Sequence, residues 1–429
     1  MIPLEWVEVE GLSLGELRGA PADGTVRRIH DDSREAGPGD LFVALNTGVR
    51  FVDDALARGA ATLVPDDQEA ALAALARLVR DRSAAEVVAI VGSVGKTTTK
   101  DVLAALCGAV TPTVAADGSR NNELGLPLTV LRLEPETRVL VTEMGMRGLG
   151  QIAELCEVAR PTVALVTSIG PEHLELVGSV EDVARANAEA IDALAPGGVA
   201  VVPADEPLLE PSLGRDDVTV RSFDPSDVSR DRDGWRFEVG STELRLALPF
   251  AQRHLAENVL AALTAYDALG LPLERAGEGA GAIRLSRWRG EVRELPGGGL
   301  VVNDAYNANP ISMRASLLDL AERAAGRRRV AILGEMAELG DESARYHAEI
   351  ASLLRELGIE LVIAVGEPAR AYLAEVGESR FLSDAASFDG AVLAELRPGD
   401  AIVVKASRAV GLEGIPALIE KHSEAWHES

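Results

Sequence analysis

Val87-Val88-Ala89-Ile90-Val91-Gly92-Ser93-Val94-Gly95-Lys96-Thr97-Thr98-Thr99-Lys100 is a β-branched run that ends in a glycine turn and passes into a helical pattern through Leu103 and Leu106. Strand, glycine loop and helix follow in the order a phosphate cradle requires. The glycines let backbone N–H groups close on an anion, and the helix N-terminus adds partial positive charge. In such a loop the segment Gly92, Ser93, Val94, Gly95 and Thr98 wraps a nucleoside triphosphate. Lys96 reaches the terminal phosphates and the Thr97 hydroxyl ligates Mg²⁺. The strict eight-residue form has glycine at position 90, which is isoleucine here, so the loop is the shorter Gly-x-x-Gly-Lys-Thr form.

Working outward, 429 residues exceed one hydrophobic core and predict about two to four domains. Nearly half the residues are hydrophobic, yet no apolar run is long enough for a membrane span. The acidic start, Met1 to Glu10, lacks the basic and apolar segments of a signal peptide. Cys107 and Cys156 make no disulfide framework, which fits a reducing cytosol, so a cytoplasmic protein without a transmembrane segment is expected. The net charge of −26 argues against a nucleic-acid surface. It also requires that a site for an anionic substrate be locally positive. Lys96, Lys100, Lys405 and Lys421 are the only lysines, and two of them sit in the phosphate-loop stretch, which suggests a chemical requirement there.

Before the loop, residues 1–84 read as a separate unit. Asp32-Ser33-Arg34 is a turn ahead of a strand over 41–45, followed by helices over 52–58 and 68–80 around a strand over 62–64. After the loop helix, a polar turn at Asn121-Asn122 precedes a strand over 138–142 that ends in Glu143. A strand over 162–167 leads to His173, and a helix over 181–194 follows. Short strands over 218–223, 235–239 and 244–249 predict an antiparallel flap, and 254–266 a helix. A second alternating series has strands at 300–302, 329–333, 361–365 and 401–404, with helices over 310–325, 341–357 and 385–396 and one after the last strand. It lacks a phosphate loop of its own and reads as a lid. The whole is α/β with parallel sheets. Ligands of such sheets sit beyond the carboxyl ends of the strands. Lys96 with Thr97, Glu143 and His173 all lie just past such ends and point to an ATP–Mg²⁺ site, His173 being the less usual ligand for that ion.

These motifs resemble the Mur ligases, the ATP-dependent amide-forming enzymes of peptidoglycan synthesis, over essentially the full length. The specific stretches are Gly-Lys-Thr-Thr-Thr-Lys at 95–100, Asn-Asn-Glu-Leu-Gly-Leu-Pro-Leu-Thr at 121–129 and Tyr-Asn-Ala-Asn-Pro at 306–310. Leu-Gly-Glu-Met-Ala-Glu-Leu-Gly at 333–340 and Lys-Ala-Ser-Arg at 405–408 complete the set. The run at 306–310 is similar to the branch that adds D-Ala-D-Ala to UDP-MurNAc-tripeptide. The resemblance implies three domains: 1–84 for the UDP end of the substrate, 85–285 for ATP and Mg²⁺, and a Rossmann-like 286–429 that receives the dipeptide and closes as a lid. It implies that Lys96, Glu143, His173 and Arg289 serve catalysis, with Thr97, Glu143 and His173 on the metal. His254 and Asn258 would serve the adenine side, Asp304 the ribose and Arg289 the phosphates. Ser33, Arg34, Asn121, Asn122, Tyr306, Asn307 and Asn309 would face the substrates, and a monomer is implied.

The chain departs from the family pattern in places. A lysine that becomes carbamylated and ligates metal is usual fourteen residues past the metal histidine, and that position is Asn187. Leu255 replaces an asparagine beside His254, and Ser168 and Glu172 alter the run before His173. The expectation is an active ligase with an altered second-metal site, with Glu172 or Glu189 helping. The alternatives are a related ligase acting on another acid, such as one adding glutamate to folate, and a nucleotide-binding pseudoenzyme.

Overall fold

The computed structural model describes residues 1–428. The run from Val87 to Val91 is wholly buried, as a strand covered on both faces must be. It forms the strand Glu86–Val91 inside a six-stranded parallel sheet. From edge to edge the order is Thr219–Phe223, Val199–Pro203, Val163–Val166, Glu86–Val91, Val139–Glu143 and Thr113–Ala115. The loop strand is therefore flanked by the strands that lead to His173 and end in Glu143.

The chain divides into two compact units. One comprises Met1–Ser168, Ala184–Pro249 and Glu257–Arg284; the other comprises Ile169–Val183, Phe250–Ala256 and Leu285–Ser429. The first holds the six-stranded sheet and the N-terminal segment. The latter carries a four-stranded sheet ordered Gly15–Arg18, Ala61–Pro65, Leu41–Val43, Ile29–His30 and a small core of Phe42, Val52 and Ala55. The second unit has its own six-stranded sheet, ordered Glu291–Leu295, Gly299–Asn303, Ala401–Lys405, Arg329–Gly334, Leu361–Val365 and Glu378–Leu382. All its neighbours run parallel except the first pair. Apolar side chains such as Ile332, Ile363, Ile402 and Val404 fill its interior.

Two expectations from sequence are corrected. The strand Thr219–Phe223 is not part of an antiparallel flap but the parallel edge of the central sheet, paired with Val199–Pro203. Four of its five residues are exposed, so it lacks the continuous apolar run by which a doubly covered parallel strand is recognised. The flap is real but comprises Val228–Asp231, Gly234–Val239 and Thr242–Leu246. The continuous helix over 385–396 is also absent. Asp384 caps one short turn through the Ser387 N–H, and Asp389 caps another through Ala391 and Val392. Two acceptor side chains five residues apart start two separate turns instead of one helix.

Candidate active site

In the first unit, the loop between strand and helix is fixed by its geometry. Gly92 has φ +122°, and a Cβ there would stand 2.3 Å from the Thr167 hydroxyl oxygen. Gly95 has φ +90°, and a Cβ would come within 2.2 Å of the Asn258 carboxamide oxygen. Both positions require glycine. The loop is then tied to the neighbouring strand end. Ser93 N–H donates to the Ser168 carbonyl at 2.8 Å, and Val94 N–H to the Ser168 hydroxyl at 3.0 Å. The Thr167 hydroxyl donates to the Val94 carbonyl at 2.6 Å. Gly92 N–H donates to Asn187 Oδ1 at 2.6 Å. Lys96 Nζ donates to the Gly92 carbonyl, folded back over the loop. The helix Lys96–Gly108 starts here, so its first turn carries N–H groups that no intrahelical carbonyl accepts. Thr97 and Thr98 lie buried in that turn.

Lys100 does not face the cradle. It is buried, and its ammonium donates to the carbonyls of Ala116 and Gly118 at 2.9 and 2.6 Å beside Asp101. Of the two lysines in the stretch, only Lys96 lies over the glycine loop. Lys100 holds the turn that leads to Asn121.

Beside the loop strand, Glu143 closes its own strand and is 2 % exposed. Its Oε1 accepts from Asn121 Nδ2 at 2.8 Å, while Oε2 has no hydrogen-bond partner. A buried carboxylate oxygen left unclaimed is costly, and a cation is the natural partner. Mg²⁺ fits that donor: it takes one or two protein oxygens and leaves its other positions to water and phosphate. Asn122 Oδ1 accepts from Gly125 N–H at 2.9 Å and so shapes the turn into the next helix. Glu189 accepts from Gly150 and Ala153 N–H groups with its two oxygens, so both are committed to starting the helix Gln151–Ala159.

A cavity of about 1120 Å³ is lined by Ser33, Arg34, Arg28 and Arg58 of the N-terminal segment and by Arg120 and Arg132 beyond it, among others. Five arginines line it with six carboxylates, so the expected local excess of positive charge is not found. Pairing explains how the two signs coexist. Arg34 grips Asp32 at 2.5 Å and holds that carboxyl down to about 2, and Arg132 grips Asp117 at 2.7 Å.

In the second unit, three motifs far apart in sequence meet. Lys405 is buried, and its Nζ donates to Asp304 Oδ2 at 2.7 Å and to the Asn307 carbonyl at 2.9 Å. Ser316 Oγ donates to the same Asp304 oxygen at 2.7 Å. The Ser407 hydroxyl donates to the Ala308 carbonyl at 3.2 Å and accepts from Ala337 N–H at 2.9 Å. Lys-Ala-Ser-Arg thus braces both Tyr-Asn-Ala-Asn-Pro and the loop at 333–340. Asn309 spends its side chain as N-cap of the helix Pro310–Ala324, accepting from Ser312 N–H at 2.9 Å. The Arg289 guanidinium lies over the Tyr306 ring at 4.0 Å, an orienting cation–π contact. His254 is held neutral because burial pushes its imidazole below the usual range. Leu255 is buried close to Gly290, whose carbonyl accepts from Gln252 Nε2 at 2.7 Å. His173 has left-handed φ +52°, and its Nδ1 bonds Glu338. The sequence reading passed over Glu338, Lys405 and Ser407. Their signal was present as motif residues and, for Lys405, as one of four lysines.

Residues 90–266 match the Mur ligase middle domain, and residues 288–408 match the glutamate ligase domain of Mur ligases. The UDP-N-acetylmuramoyl-tripeptide–D-alanyl-D-alanine ligase of Bacillus subtilis (strain 168) is 32% identical over 423 residues, covering 91% of this chain and 92% of that protein. The crystal structure of MurF from Acinetobacter baumannii superposes with a TM-score of 0.86 at 27% identity, over 98% of this chain and 99% of that one. MurF ligase from Thermotoga maritima in complex with ADP superposes with a TM-score of 0.81 at 27% identity, over 94% and 99%.

Proposed function

The chain belongs to the Mur ligase family, and from that premise we propose that it joins D-alanyl-D-alanine to UDP-N-acetylmuramoyl-tripeptide, using ATP, in the cytoplasm and as a monomer. The observation that carries the reading is Glu143: a buried carboxylate with one unclaimed oxygen, at the end of the strand hydrogen-bonded to the phosphate-loop strand.

The substrate's carboxylate is a poor acylating agent. Its oxygen attacks the γ-phosphorus of ATP, ADP leaves, and an acyl phosphate results. The amine of the dipeptide then attacks the acyl carbon, a tetrahedral intermediate forms, phosphate departs and the amine sheds a proton. No protein nucleophile is needed, so the side chains position and neutralise. Lys96 would swing from the Gly92 carbonyl to the terminal phosphates. Arg289, pre-aimed by Tyr306, would add a second positive group. Thr97, Glu143 and His173 would hold Mg²⁺, which neutralises phosphate charge when bound. Asn121 would keep Glu143 oriented. Asn258 and neutral His254 would serve adenine, and Asp304 the ribose. The span 1–84, with Ser33 and Arg34 in its cavity, would take the uridylate. The span 85–285 would take ATP, and 286–429, with Tyr306 and Asn307, the dipeptide. Asn122 and Asn309 support these sites through the backbone turns they cap.

The experiment is phosphate release from ATP and Mg²⁺ with UDP-MurNAc-tripeptide, with and without D-Ala-D-Ala, the product weighed by mass spectrometry. Release that requires both substrates and yields the pentapeptide supports the ligase. Nucleotide binding without turnover moves the assignment to a pseudoenzyme, and turnover only with a different acid to a related ligase.

A further inference from the structure

The loop at 335–340 is pinned at nearly every backbone position, and one side chain stands out from it. Met336 N–H donates to Nε2 of His347 at 3.1 Å, while His347 Nδ1 donates to the Ser343 carbonyl at 2.7 Å. That imidazole is buried and stacked on Tyr372 at 5.3 Å. Ala337 N–H donates to Ser407 Oγ, and Ser407 N–H returns to the Glu335 carbonyl at 3.0 Å. Met336 and Leu339 anchor the loop in the core, each 1 % exposed. Between them Glu338 takes φ +61°, a region disfavoured for a residue with a side chain.

Glu338 meets a second strained residue. Its carboxylate bonds His173 Nδ1, and its carbonyl accepts from Glu175 N–H at 3.1 Å. His173 itself sits at φ +52°. Two non-glycine residues in left-handed conformations, joined side chain to side chain and braced again through the backbone, mark an enforced contact rather than a chance surface ion pair.

We propose that Glu338 is a positioning residue for His173: it fixes the ring with the proton on Nδ1 and so presents Nε2 as the metal-binding nitrogen. A carboxylate can only accept, so the nitrogen facing it must carry hydrogen. In the neutral ring the opposite nitrogen, which has the Glu172 carboxylate 3.9 Å away, then holds the lone pair, and the ring orientation is set by the outer partner. The inference rests on the reading of His173 as a ligand of the nucleotide-bound metal.

The test uses Mn²⁺ as probe, because it takes the same oxygen and imidazole ligands and is visible by electron paramagnetic resonance. In the full-length protein with ADP, Glu338→Ala is expected to weaken Mn²⁺ binding about 10- to 100-fold, the range typical of removing such an outer partner. Binding of ADP without metal should not change. Glu338→Gln, which keeps an oxygen acceptor, should restore most of the Mn²⁺ affinity. Nitrogen-15 NMR of the imidazole should show the Nδ1–H tautomer in the metal-free protein and its loss in Glu338→Ala. Unchanged Mn²⁺ affinity in Glu338→Ala, or an Nε2–H tautomer in the unaltered protein, overturns the proposal. His173→Ala is the control that separates the two readings. If the unaltered protein holds no ADP-dependent Mn²⁺ that His173→Ala removes, the metal-ligand reading itself falls and this proposal with it.

Discussion

The carboxamide oxygen of Asn187 accepts the Gly92 N–H at 2.6 Å, so the residue in place of the family's modifiable lysine is tied to the first glycine of the phosphate loop. Asn187 is 2 % exposed, and an N–H that lost this acceptor would be buried without a partner. Asn187→Leu, close in size, is therefore expected to cost about 1–3 kcal/mol and to raise the KM for ATP. Urea denaturation and steady-state kinetics check it. A variant as stable as the parent, with the same KM, would show that the loop does not depend on this bond.

Gly95 and Asn258 approach so closely that no side chain fits between them. Gly95→Ala meets two obstacles, the φ of +90° and the Asn258 oxygen 2.2 Å from the new Cβ. Strain of that kind costs on the order of 1–3 kcal/mol, and in a nucleotide loop it should appear as weaker ADP binding by calorimetry. Adding Asn258→Ala removes the collision but not the φ penalty, so the double variant should recover only part of the stability. Full recovery would mean that the backbone conformation carries no cost.

How much of this was legible beforehand depends on the range of the interaction. The glycine loop is written in six contiguous residues, Gly92 to Thr97, so its strand–turn–helix form was legible from local spacing. The parallel sheets were legible because doubly covered strands such as the one at 87–91 leave a continuous apolar run. Partnerships across the chain were not. Asn121 and Glu143 are 22 residues apart, Glu338 and His173 165, and no local pattern announces which acceptor a side chain will find. Asn309 reads as a substrate contact by motif and is seen to cap a helix, because capping and ligand binding select the same small amides. The edge strand 219–223 misled because four of its five residues are exposed, which removes the apolar run that marks a covered parallel strand.

His347 gives the protein an acid-sensitive element. Burial pushes its imidazole below the usual value of 6.5, against smaller opposing effects of the Ser343 carbonyl and Glu335. The folded form thus keeps Nε2 unprotonated to receive the Met336 N–H, whereas the unfolded chain takes up a proton near 6.5. The unfolded state binds more protons below that pH, so stability is complete above about 6.5 and falls as the medium is acidified toward the lower folded value. The melting temperature should drop between pH 7 and 5, and His347→Gln, which does not titrate, should show a shallower drop over the same interval. Parallel curves for the two proteins would assign the acid sensitivity elsewhere.

Lys405 and Asp304 form a buried pair at 2.7 Å, with Lys405 2 % exposed. Removing one partner leaves the other charge in a medium that solvates it poorly, which typically costs about 3–5 kcal/mol, whereas removing both costs less. Lys405→Met also frees the Asn307 carbonyl that the ammonium ties at 2.9 Å, so the motif at 306–310 should loosen with it. Adding Asp304→Asn should restore part of the lost stability, since the amide carries no charge and can still accept from Ser316 Oγ. The two variants should therefore couple by about 0.5–3 kcal/mol in a double-mutant cycle measured by urea denaturation. Simple additivity would show that the pair is solvated in the folded protein. Lys405→Arg is the wrong control, because a planar five-donor fork does not replace a compact ammonium that addresses one carboxylate and one carbonyl.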